Sequence, residues 1–193
     1  DYDRYVTIKN HLRKNKYNPK KLYNKSMFNV VDVGFNSIFL RANKDLLELL
    51  KSFNLEHNKL KKFILKSENQ IEKLYNEKKG VFTNYDIRNK KKIIVPSITN
   101  YFILFADLKN QTINKKIIKS LKNHNQTKKY VFSSIKPNHK KFEEKRYWRG
   151  PVWINCNWII YQGLKNKDKN FANTIKEKTC LLYTSPSPRD ISR

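Results

Sequence analysis

The chain has 193 residues, with 42 Lys and Arg against 16 Asp and Glu, a formal charge of +26. Aromatics make up 13% of it, too many for a disordered chain. Its longest apolar run, Tyr101–Ala106, has six residues where a membrane helix needs about 18. By length it is one domain or a piece of a larger one. The charge alone would suggest nucleic-acid binding. Against that, Lys outnumbers Arg 34 to 8, Asn occurs 24 times, and the Lys residues are scattered. Lys, Asn, Ile, Tyr and Phe share A/T-rich codons, so a biased genome gives this composition to any protein. Phosphate-binding surfaces also draw on the planar fork of Arg.

In chain order, helical spacing dominates. Tyr5, Ile8 and Leu12 make a first stripe, ended near Asn18-Pro19. Phe35, Ile38, Phe39, Ala42, Leu46, Leu49 and Leu50 make a second, and Leu60, Phe63, Ile64, Ile71, Leu74 and Tyr75 a third, closed before Gly80. Val81–Asp86 and Lys92–Val95 read as a short hairpin with Arg88-Asn89 at its turn. Ile98–Leu108 is apolar on most sides, and Gln111–Lys122 is amphipathic with Ile113, Ile117, Ile118 and Leu121 inward. Residues 123–146 are polar and read as a long loop, a type that is often functional. Pro151–Leu164 reads as a helix apolar nearly all round, hence buried on both sides with Trp158 in the core, and Phe171–Ile175 begins another. A buried inner helix among amphipathic outer ones suggests an all-α toroid or another two-layer assembly.

After Lys178 no Lys occurs, and Cys180–Asp190 resembles the in-frame translation of a transposase sequencing adapter. Residues 180–193 are therefore expected to be foreign and unstructured, and residues 1–179 to be an internal piece of a longer domain. With Cys156 then the single cysteine, a disulfide framework is excluded.

All three Trp residues fall in Arg146-Tyr147-Trp148-Arg149-Gly150-Pro151-Val152-Trp153-Ile154-Asn155-Cys156-Asn157-Trp158. Core packing is one cause for such retention. Carbohydrate is the other, because the flat C–H face of a sugar stacks on an indole while Arg or Asn holds the hydroxyls. Arg149 serves equally as a ligand contact or as a structural ion pair. Asp32 and Asn36 suit a helix cap, and Asp86 a turn acceptor. Glu143-Glu144, in Lys-rich surroundings, read as solvated. His11, His57, His124 and His139 show no metal spacing, and Cys156 reads as a small core residue.

Arg146–Leu164 resembles the signature of glycoside hydrolase family 63 and its mannosylglycerate and glucosylglycerate hydrolase-like relatives. Val31–Asn36 with Leu40–Asn43 and Asp45–Leu47, then Gly80–Asp86, then Val95-Pro96-Ser97, agree in order and spacing. The resemblance implies a partial (α/α)6 toroid with a short β-hairpin and long loops. It implies an inverting hydrolase of an α-glucoside or α-mannoside, with mannosylglycerate and glucosylglycerate as candidates, using neither metal nor cofactor. Inversion takes an acid and a base carboxyl about 6.5–9.5 Å apart. In the family these sit in motifs before residue 1 and beyond the end, so no catalytic residue is expected here and the piece alone should be inactive. Tyr147, Trp148, Arg149, Gly150 and Trp153 are the substrate-binding residues that carry over. The implied partner is a small carbohydrate, with no nucleic acid and no membrane, in the cytoplasm. The alternatives are a carbohydrate-binding relative without catalysis and a basic nucleic-acid-binding helical protein.

Overall fold

Short polar side chains start several of the helices. In the computed structural model, which describes residues 2–124 and 131–184, α1 spans Tyr2–Lys14 and α2 Pro19–Lys25. Asn18 opens α2 by accepting the Lys21 amide, with Pro19 in the first turn. Strand β1 is Val30–Val31, and α3 is Val33–Ser52. Asp32 caps α3, its Oδ1 accepting the Phe35 amide at 2.7 Å. The helix ends at Asn54 in the left-handed region (φ 54°), which Asn tolerates. Helix α4 (Asn58–Glu72) follows, then strands β2 (Tyr75–Asn76), β3 (Val81–Phe82), β4 (Asn84–Asp86) and β5 (Lys91–Ile93). A 3₁₀ turn, Ile98–Tyr101, runs into α5 (Ile103–Ala106). Then come α6 (Gln111–Lys122), capped by Asn110, α7 (Ile154–Leu164), and α8 (Lys169–Thr184), whose Phe171 amide is held by Asp168.

Three helices form an inner line: α3 packs on α5, and α5 on α7. Helices α4, α6 and α8 back them in turn. This two-layer arc is an incomplete (α/α)6 toroid. Phe82, Phe132, Ile98, Leu104, Ile117, Leu121, Ile160, Leu164 and Ile175 fill it and are buried. Each contributes roughly 1.5–3 kcal/mol by leaving water. Gly163 lets α7 approach α5 closely, since a Cβ there would lie 2.6 Å from the backbone of Leu104 and of Phe105.

Two buried polar contacts link elements across the fold. Asn157 accepts the Phe132 amide at 3.1 Å and donates to the carbonyls of Phe132 and Trp153. Lys44 meets the buried Glu68 at 2.6 Å and also donates to the carbonyls of Ala106 and Asp107, where α5 ends in a left-handed residue. Losing one partner of such a pair strands a charge and costs about 3–5 kcal/mol.

Five features depart from the sequence expectations. Helix α7 starts at Ile154, because Pro151 and Val152 run extended and bond to Ser134 and Ser133. It is not buried on both sides. Trp158 is 53% exposed rather than core. The hairpin is β4–β5 alone, with Asp86 opposite Lys91, while β3 pairs with β2. Within the polar stretch 123–146, Val131–Ile135 is buried, because Val131, Phe132 and Ile135 supply an apolar anchor. At the end, Cys180–Thr184 continues α8, so for those five residues the expectation of no structure is not met. No Pro or Gly occurs before Pro186 to stop the helix. Residues 185–193 lie outside the described residues.

The second stripe is helical as read, but it faces solvent. Phe35, Ile38, Phe39, Leu46 and Leu49 are exposed, Phe35 to 71%, while Val33, Ser37 and Leu40 on the other side are buried. Helix α3 therefore presents an apolar surface at one open end of the arc, and Ile154 and Trp158 present another at the α7 end.

Candidate functional site

The starts of the three inner helices are tied together at one end of the arc. Asn84 accepts the Val33 amide at 2.8 Å and donates to Asp32 Oδ2 at 2.9 Å, joining β4 to the start of α3. The Ile98 amide donates to the Ser134 carbonyl, the Ser134 amide to the Pro151 carbonyl, and the Lys136 amide to the Pro96 carbonyl. These bonds join the 3₁₀ turn to the segment entering α7. Gly34, in the first turn of α3, lies against Thr99 of that turn.

On this end stand Tyr147, Trp148 and Trp153. Trp148 and Trp153 stack with ring centres 5.0 Å apart and planes 28° off parallel. Tyr147 meets both edge-on, at 5.5 Å from Trp148 and 4.7 Å from Trp153. Such pairs attract by roughly 0.5–1.5 kcal/mol beyond their area. Trp153 Nε1 donates to the Tyr147 carbonyl at 3.2 Å. The cluster is nevertheless open: Tyr147 is 64% and Trp148 46% exposed. Large aromatic faces held rigid against one another yet left in solvent are suited to stacking on a flat apolar surface of a ligand.

The other two predicted site residues build the loop beneath. Arg149 pairs with Glu143 at 2.6 Å and donates from Nε to the Lys141 carbonyl at 3.0 Å, so the structural pairing is the role seen. Glu143, expected to be solvated, is therefore engaged. Gly150 is buried, and a Cβ on it would lie 2.1 Å from the Glu143 carbonyl oxygen and 2.5 Å from that of Glu144. Only glycine fits there, so its contribution is to the path of the loop.

The carboxylates of the quoted motifs have structural tasks. Asp32 caps α3 and braces Asn84. Asp86 accepts from the Asn89 amide and side chain, which hold its carboxyl below the usual range. Glu143 holds two arginines. The Cys156 thiol is buried and burial pushes it up to about 11, which leaves it unreactive at neutral pH. His124 is buried between Tyr101 and Phe132, and burial with the nearby Lys136 lowers it to about 4, so it is neutral. Among the described residues, no group of three or more His, Cys, Asp or Glu side chains could hold a metal ion.

Sequence reasoning missed Glu143, Asn84 and Asn157. Glu143 had a readable signal, standing three and six residues before two arginines on a loop. Asn84 and Asn157 have partners 25 to 52 residues away, and no local pattern reveals those.

Residues 1–183 match the mannosylglycerate hydrolase MGH1-like glycoside hydrolase domain. The chain belongs to this family. A mannosylglycerate hydrolase of Thermus thermophilus is 34% identical over 172 residues, covering 89% of this chain and 41% of its own length. A crystal structure of the family 63 mannosylglycerate hydrolase from Thermus thermophilus, in complex with Tris, superposes with a TM-score of 0.89 at 31% identity. It covers 94% of this chain and 44% of that one. A glucosylglycerate hydrolase of Mycolicibacterium hassiacum is 23% identical over 83% of this chain and 38% of its own length. The chain thus spans less than half the length of these relatives. Their match confirms the family resemblance carried by the Trp-rich motif and the incomplete helical toroid.

Proposed function

We propose that the complete protein containing this chain is an inverting glycoside hydrolase that cleaves the α-glycosidic bond of mannosylglycerate or glucosylglycerate, and that this chain supplies part of its sugar-binding wall. The observation that carries the reading is the exposed, rigid cluster of Tyr147, Trp148 and Trp153 at the end of the arc where the inner helices start. Family membership and the named activities of the relatives support it. In this reading the aromatic faces hold the sugar ring by its C–H face and exclude water from one side of it. Positioning of this kind lowers the barrier by prepaid entropy. The family resemblance implies that the acid and base carboxyls come from outside these residues, while Asp32, Asp86 and Glu143 have capping, turn and ion-pair roles.

The test is incubation of the complete protein with mannosylglycerate and with glucosylglycerate, the released sugar being followed by NMR as it forms. The reading predicts the β-anomer first, because inversion places water opposite the leaving group. Initial release of the α-anomer, or no release from either compound, would overturn it. The 193-residue chain alone is expected to release nothing.

A further inference from the structure

We propose that Glu143 is a positioning residue that presets the sugar wall, a role that deepens the proposed function and rests on it. Its carboxylate sits between two guanidiniums. Oε1 accepts from Arg149 Nη2 at 2.6 Å and Oε2 from Arg146 Nη1 at 3.2 Å. In sequence these two arginines bracket Tyr147 and Trp148. One carboxylate therefore ties down both ends of the short segment that displays the two exposed rings.

The backbone repeats the closure. The Glu143 amide donates to the Arg149 carbonyl at 3.0 Å, the Arg146 amide to the Glu143 carbonyl at 2.9 Å, and the Arg149 amide to the Arg146 carbonyl at 2.7 Å. Gly150 packs under the carbonyls of Glu143 and Glu144 with no room for a side chain. Trp153, on the far side, holds the Tyr147 carbonyl. Residues 143–150 thus form a closed loop hinged on Glu143, with the aromatic rings on its rim.

A free loop would have to be ordered each time a sugar bound, and that entropy would be subtracted from affinity. The carboxylate removes the need by fixing the loop beforehand. Glutamine cannot replace it, because a carboxamide offers one acceptor oxygen where two guanidiniums need one each. Lysine cannot replace Arg149, because it lacks the fork that reaches both Glu143 and the Lys141 carbonyl. Glu143 and Arg149 are both partly exposed, so their pairing contributes little to folding stability. Orientation and stability can therefore be read separately.

The experiment has two arms. In the chain carrying Trp158→Phe, only the Trp148–Trp153 pair emits. Glu143→Gln is expected to raise acrylamide quenching of that emission about twofold, with far-UV circular dichroism unchanged and Tm within about 2 °C. Glu143→Asp should keep most of the protection. Arg149→Lys should match Glu143→Gln, and the two together should exceed either alone only slightly, because they remove one interaction. Glu48→Gln, which breaks an exposed ion pair on α3, should change nothing. In the complete protein, Glu143→Gln should raise KM for the glycoside about tenfold with kcat within about twofold, the pattern of lost uniform binding.

Unchanged quenching and unchanged KM in Glu143→Gln would overturn the proposal. So would a Tm drop of about 10 °C or more, which would make Glu143 a folding residue. Absence of glycoside turnover in the unsubstituted complete protein would instead remove the hydrolase reading, while the quenching arm would still decide whether Glu143 fixes the loop.

Discussion

Two aromatic clusters in this chain use similar ring geometry for different ends. Tyr101, His124, Phe132 and Phe171 meet edge to face with centres 5.0 to 6.2 Å apart and are sealed in the core. Tyr147, Trp148 and Trp153 meet at 4.7 to 5.5 Å, and two of the three are open to solvent. The sealed rings are held by what surrounds them. The open rings are held by a loop, an ion pair and one indole hydrogen bond. Stability should depend on the first cluster and ligand contact on the second.

The sharpest break of that contrast is Phe132→Ala. It empties the centre of the buried cluster and should cost about 3–5 kcal/mol by chemical denaturation. A cost below about 1 kcal/mol would mean that the sealed cluster is not a core. Next is acid. His124 takes a proton below about pH 4 in the folded chain but near 6.5 when unfolded. Between those values the unfolded state binds more protons. The contribution is therefore fully present above about pH 6.5 and is lost as pH falls towards 4. It amounts to no more than about 3.5 kcal/mol, at roughly 1.4 kcal/mol per pH unit. His124→Phe should flatten that part of the stability–pH curve, and an unchanged slope would contradict the burial argument.

Gly150→Ala should cost roughly 1–3 kcal/mol as the loop shifts to relieve contacts of 2.1 and 2.5 Å. It should also disorder the open cluster, visible as a red shift of Trp emission. Trp148→Ala should cost less than about 1 kcal/mol, its ring being half exposed, yet lower kcat/KM of the complete protein at least tenfold, a loss of about 1.4 kcal/mol in the transition state. Unfolding of the Trp148 variant would instead place that ring with the core cluster. Smallest is a pair of charges on the free face of α3. Phe35→Lys with Leu46→Lys should leave the melting of this chain within about 0.5 kcal/mol while raising its solubility, because exposed apolar stripes aggregate.

Much of this was legible locally. The helices from Phe35, Leu60, Gln111 and Phe171 follow from apolar spacing, and Asp32 and Asp86 take the cap and turn roles that short carboxylates favour. The three Trp residues pointed to the candidate site because Trp is scarce in so Lys- and Asn-rich a chain. Periodicity gives a helix its apolar face but not what covers that face, so the α3 stripe and Trp158 came out exposed. Extended residues such as Pro151-Val152 take their conformation from strand-like bonds to Ser133 and Ser134, which no neighbouring residue announces. The pairing of Glu143 with Arg149 is a loop closure over six residues, set by where Gly150 lets the chain turn back.

The central claim is that the open aromatic cluster binds sugar without supporting the fold. Its most direct measurement is a tryptophan-fluorescence titration of the complete protein with mannosylglycerate and glucosylglycerate, paired with thermal melts, in unsubstituted and Trp148→Ala forms. The account predicts saturable binding that the substitution weakens at least tenfold, with Tm moved by no more than about 2–4 °C. Equal binding by both forms, or a melt collapsed by the substitution, would contradict it.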